Sequence, residues 1–142
     1  MSAQTLLGFD YGARRIGVAV GQTLTGTASP LATVECRDSG PDWDTISALI
    51  REWRPQRLIV GLPRHLDGRE HELKPVVERF ARQLEGRFGL PVSLVDERLT
   101  SAEASARLVE TRQKGRRRKI RKDEIDRLSA AILLETWMST GA

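Results

Sequence analysis

The chain has 142 residues, with 23 Lys and Arg against 19 Asp and Glu, a formal charge of +4, one cysteine and two histidines. That length suits one domain that removes roughly two-thirds of its unfolded surface from water, so no disulfide or metal staple is required, and one Cys with two His falls short of a four-ligand zinc cage. The longest apolar run, Ala130 to Leu134, is far below the ~18 residues of a membrane span, and no basic stretch leads into an apolar one at the N-terminus; the expectation is a cytoplasmic chain with no membrane partner.

Leu6 to Asp10 reads as a strand that is apolar until it delivers a carboxylate, and Ile16 to Val20 as a second, joined by the tight link Tyr11-Gly12-Ala13-Arg14-Arg15. Gly26 to Val34 is a third, interrupted by Pro30. Three successive strands with short links predict an antiparallel meander. A helix follows over Asp42 to Trp53, opening on Pro41-Asp42, with Trp43, Ile46, Leu49, Ile50 and Trp53 at helical spacing. Arg57 to Val60 is a short strand ending in Gly61-Leu62-Pro63. The next helix spans Glu70 to Phe88, with Leu73, Val76, Val77, Phe80, Ala81 and Leu84 on one face, and Gly89-Leu90-Pro91 breaks it. Val92 to Val95 is the last strand, expected to be buried on both faces. Ala102 to Glu110 is a short helix behind a Thr100-Ser101 cap, and Asp123 to Met138 is the final helix, with Asp123 as its N-cap. There is no internal repeat and no linker. The expectation is therefore a single domain over 1–142, an α/β fold whose mixed five-stranded sheet joins an antiparallel three-strand meander to parallel strands through crossover helices.

Three acids end or open core elements. Asp10 closes the first strand, with Gly8, Gly12 and Gly17 nearby to let a ligand or another backbone approach; its plainer reading is an acid bonded to turn amides. Asp96 and Glu97 follow the last strand, and alternation leaves open which of them faces a site. Asp126 shares a helix face with Ala130, Leu133 and Trp137, although a first-turn acid is also favoured by the helix dipole. Asp123 and Glu124 read as cap and first-turn charges. In open sheets of this kind ligands bind beyond the carboxyl ends of the parallel strands, and three carboxylates meeting there would suit hard cations.

Charge is concentrated. From Arg112 to Lys122 the chain reads RQKGRRRKIRK, with eight basic residues and no acid; without them 15 basic groups would face 19 acidic ones. Arg112, Lys114, Arg116, Arg117, Arg118, Lys119, Arg121 and Lys122 are the candidate nucleic-acid contacts, a solubilising loop being the plainer reading. His65 and His71 read as solvated loop residues. Arg64, Arg69 and Arg98 could meet phosphate or pair with neighbouring acids, and Trp43, Trp53 and Trp137 belong to core-facing helix sides.

Leu7-Gly8-Phe9-Asp10-Tyr11-Gly12 with Arg15-Ile16-Gly17-Val18-Ala19-Val20-Gly21, Ile59-Val60-Gly61-Leu62-Pro63 with Asp67-Gly68, Val95-Asp96-Glu97-Arg98-Leu99-Thr100 with Ala102-Glu103-Ala104, and Asp126 with Ala130-Ala131-Ile132-Leu133 together resemble the YqgF (RuvX) family of pre-16S rRNA nucleases. The resemblance covers nearly the whole chain in order. It implies an RNase H-like fold related to Holliday-junction resolvases, and a cytoplasmic role in maturing the 5′ end of small-subunit ribosomal RNA. It also implies that Asp10, Glu97 and Asp126 are the catalytic and metal-binding acids. The chain departs from the related resolvases at Ser129, where those proteins carry a further acid.

The expected chemistry is phosphodiester hydrolysis. Converging carboxylates repel one another, and Mg²⁺ or Mn²⁺ relieves this while keeping waters for reaction. In a two-metal arrangement, ions about 4 Å apart would activate a water and stabilise the leaving oxygen, with Asp10 bridging and Glu97 and Asp126 each holding one side. Pre-rRNA is preferred as the partner over branched DNA, the chain acting as monomer or homodimer. Two alternatives are a junction resolvase, which would need a two-fold dimer, and a non-catalytic RNA-binding module.

Overall fold

The computed structural model describes residues 3–12, 14–62, 72–96 and 122–139. The predicted meander forms from β1 (Thr5–Tyr11), β2 (Arg15–Gln22) and β3 (Thr27–Arg37), paired antiparallel in succession. β4 (Gly40–Pro41) folds back on the end of β3. Through α1 (Trp43–Trp53) the chain reaches β5 (Arg57–Leu62), parallel to β1, and through α2 (Lys74–Phe88) it reaches β6 (Val92–Asp96), parallel to β5. The sheet order is β4-β3-β2-β1-β5-β6. The last described helix is α3 (Lys122–Ser139).

Several expectations need correcting. The sheet has six strands rather than five, because β4 contributes only two residues, too few to show any alternation. The last strand is not buried on both faces: Leu94 is 43% exposed and Asp96 is exposed, since β6 is the outermost of the described strands and is flanked from one side. Lys122 already lies in α3, so Asp123 falls inside the first turn instead of capping it. Val76, placed by spacing on the apolar face of α2, is 42% exposed. The short helix expected at Ala102 to Glu110 lies outside the described residues.

Both helices that cross over the sheet are bounded as their sequences dictate. Asp42 caps α1 by accepting from Thr45 N at 3.3 Å and from Thr45 Oγ1 at 2.8 Å. Gly89 ends α2 in the left-handed conformation at φ 64°, its N–H donating to Glu85 O. In β3 the proline falls at an irregularity: Val18 pairs with Ala32 but Ala19 pairs with Pro30, leaving Leu31 as the extra residue.

Alternation sorts the sheet into two unlike faces. Leu7, Phe9, Ile16, Val18, Leu58 and Val60 point to one side, where they pack with Ile46 of α1 and Val77, Phe80 and Leu84 of α2. Phe80 lies edge-on to Phe9 at 5.7 Å between ring centroids. On the other side Leu6, Ala19 and Ile59 meet Ala130, Ala131, Leu133 and Leu134 of α3. Each large side chain buried this way contributes roughly 1.5–3 kcal/mol, so the two layers hold the strand ends in place. Among the described residues no helix is long and apolar enough to cross a membrane.

Candidate active site

Leu6 packs in the α3-side core, and a Cβ at Gly8 would meet Leu134, so alternation along β1 turns Asp10 toward α3. The cross-strand partner of Asp10 is Gly17. Onto that glycine the helix descends: a Cβ at position 17 would collide with the backbone carbonyl of Asp126 and lie 2.8 Å from Arg127 N. Only glycine leaves room for such an approach. As a result Asp126 sits directly over the residue that pairs with Asp10, and two acids far apart in sequence adjoin at the carboxyl end of β1.

The carboxylate of Asp126 accepts from Arg15 Nε at 3.3 Å, the two side chains being 23% and 32% exposed. Arg15 opens β2 two residues before Gly17 and so shares its face. Its backbone is pinned, because Gly12 N–H donates to Arg15 O at 2.9 Å. Next to Asp126, Arg127 donates from Nη1 to Thr33 Oγ1 at 3.1 Å, tying the same turn of α3 to β3. On the opposite sheet face Tyr11 packs under Phe80 at 5.0 Å between centroids. Burial pushes the Tyr11 phenol up, with Cys36 adding to the effect, and burial also pushes the Cys36 thiol up.

Of the three predicted catalytic acids, the structure sets the Asp126 backbone on Gly17, the strand partner of Asp10, while Glu97 lies outside the described residues. So do Arg112, Lys114, Arg116, Arg117, Arg118, Lys119 and Arg121, together with Arg64, His65, Arg69, His71 and Arg98; Lys122 opens α3. Among the described residues no group of three His, Cys, Asp or Glu side chains could hold a metal ion. The donors present are nonetheless hard carboxylate oxygens of the kind Mg²⁺ and Mn²⁺ take, and the Asp126 carboxylate already holds a cation, the Arg15 guanidinium. By donor type alone, Asp10 and Asp126 suit a divalent ion.

Glu124, read from the sequence as a first-turn charge, is only 8% exposed, because α3 is buried on more than one side. Sequence reasoning assigned no role to Arg15. The signal was its spacing: position 15 alternates with Gly17 and Ala19 on the face that receives α3. The three tryptophans pack against the cores as expected, Trp137 with the Arg57 guanidinium 5.6 Å from its ring centroid and Trp43 with that of Arg87 at 4.1 Å.

A family model described as "RuvX: Holliday junction resolvase" matches residues 4–140. A protein of Legionella pneumophila named "Putative pre-16S rRNA nuclease" is 52% identical over 132 residues, 93% of each chain. One of Azotobacter vinelandii with the same name is 50% identical over 135 residues, covering 94% of this chain and 92% of the relative. Among solved structures, the chain resembles Thermus thermophilus RuvC in complex with a Holliday junction substrate, with a TM-score of 0.58 at 14% identity over 96% of this chain and 94% of that one. The fowlpox virus resolvase in complex with Holliday junction DNA gives a TM-score of 0.57 at 11% identity, covering 96% and 97%. These two likenesses bear on the fold, which is the RNase H-like fold of resolvases.

Proposed function

Because the chain belongs to the RuvX family, we propose that it is a divalent-metal-dependent nuclease that hydrolyses RNA phosphodiesters and matures the 5′ end of pre-16S rRNA in the cytoplasm. The observation that carries this reading is the seating of the Asp126 backbone on Gly17, the cross-strand partner of Asp10. Glu97 is the third acid of the set, on the ground of the resemblance to the family.

Asp10, Glu97 and Asp126 would hold Mg²⁺ or Mn²⁺. Bound there, the metal supplies positive charge that favours attack of water on phosphorus and departure of the leaving oxygen. Asp10 and Asp126 orient that charge from two rigid elements, a strand end and a helix turn, which keeps the reacting geometry preorganised. The basic run from Arg112 to Lys122 holds the phosphate backbone without reading sequence.

RNA is favoured over branched DNA by the relatives at 50% and 52% identity, which are named for pre-16S rRNA. Cleavage of a 5′-extended 16S precursor and of a four-way DNA junction, each with Mn²⁺, tests the reading with wild type, Asp10→Asn and Asp126→Asn. The precursor is expected to be cut, and each variant to lose at least about 100-fold in rate, equivalent to about 2.7 kcal/mol of transition-state stabilisation. Equal cleavage by wild type and variants would sink the assignment; cleavage of the junction alone would make the chain a resolvase.

A further inference from the structure

We propose that Arg15 is an exchangeable counter-ion that neutralises Asp126 in the metal-free protein and passes to an RNA phosphate when a divalent ion takes the carboxylate. The proposal rests on the metal-site reading above. Its ground is the bond from Arg15 Nε to Asp126 Oδ2 at 3.3 Å, made across the interface between β2 and α3. A fixed positive charge on a metal-ligating oxygen competes with the metal for that oxygen. The pair is placed to exchange: with side chains 32% and 23% exposed it is screened enough to open at small cost.

The backbone of Arg15 cannot follow such a movement. It is paired with Glu35 in the β2–β3 ladder and held by the Gly12 N–H bond, so the long side chain alone would swing. A guanidinium carries five N–H donors in a planar fork suited to phosphate, and the Nε–H is the one engaged with Asp126. Released at the carboxyl end of β1, it stands where the strand to be cleaved must lie. The Arg37–Glu35 pair has the same 3.3 Å separation, but its side chains are 74% and 69% exposed and both belong to β3. That pair is a solvated surface contact, which sets the Arg15 pair apart.

The test compares Arg15→Gln with wild type by Mn²⁺ titration without nucleic acid, and by binding of a single-stranded oligoribonucleotide across a range of salt, once with Ca²⁺ and once in EDTA. Removing the resident charge is expected to tighten Mn²⁺ about 2- to 5-fold, and to reduce the slope of log affinity against log salt by about 0.7 with Ca²⁺ while leaving it unchanged in EDTA. A purely structural role would weaken both and change no slope. In wild type the Arg15 Nε–H resonance is expected to shift on adding Mg²⁺ and again on adding the oligoribonucleotide, a readout that survives if the variant does not fold. A resonance unmoved by both, or Mn²⁺ affinity unchanged in a folded variant, would overturn the proposal. Asp126→Asn separates the two readings. If it abolishes Mn²⁺ binding while Arg15→Gln changes nothing, only the exchange fails; if it leaves Mn²⁺ binding intact, the metal site itself fails.

Discussion

Gly17 decides whether the two acids meet. The atoms its missing side chain makes room for are backbone atoms of Asp126 and Arg127, which cannot rotate out of the way. Gly17→Ala is therefore expected to push α3 away from β2, costing about 1–3 kcal/mol and lowering Tm by several degrees, while weakening Mn²⁺ binding by separating Asp126 from Asp10. Gly21→Ala is the matched control: its nearest contacts are side-chain atoms of Leu134 at 3.2 Å and Met138 at 3.3 Å, which can adjust. Thermal melts and Mn²⁺ titrations of both variants check this, and a Gly17→Ala protein that melts with wild type would refute the close approach. Glycine at 17 was legible as permission for something to come near; what comes near was not, because a missing side chain carries no address.

Helix α1 shows how completely a local element can be written in its own sequence. Pro41-Asp42 announces its start, and the carboxylate of Asp42 does cap it through Thr45. The hydrogen bonds from Thr45, first that of its side chain and then that of its amide, hold the Asp42 carboxyl below the ordinary aspartate range. The folded-state pKa being depressed, this contribution is present above the unfolded value of about 3.9 and is lost as pH falls through the lower folded value. Asp42→Ala is accordingly expected to lower Tm at pH 7 and to lessen the loss of stability on acidifying below about pH 4; an unchanged acid limb in melts from pH 2 to 6 would contradict the cap's role. By contrast β4, only Gly40–Pro41, had no legible signal at all, since its pairing with Cys36 and Arg37 depends on the path of β3.

Charge links the fold to its partner. The eight basic residues from Arg112 to Lys122 account for the whole positive balance of the chain, and the last of them, Lys122, opens α3, the helix that carries Asp126. On the proposed reading these residues hold the phosphate backbone, and affinity then depends steeply on salt through counter-ion release. Replacing Arg116 and Arg117 by Gln is expected to weaken oligoribonucleotide binding and to lower the log–log salt slope by about 1.4, read by fluorescence anisotropy in EDTA. A slope equal to that of wild type would place the phosphate contacts elsewhere on the protein.

Periods of two and of 3.6 residues are local properties, so the amino-acid order alone was enough to read the meander, the crossover helices, the strand that carries Asp10 and the helix face that includes Asp126. The resemblance of four sequence blocks supplied the RNase H-like fold and the set of acids. Tertiary structure alone decided that α3 comes to rest on Gly17, that Arg15 meets Asp126 and that Glu124 is buried. Those facts depend on which small residues of the sheet face which turn of the helix. That is a property of two surfaces in contact, and no single stretch of chain encodes it.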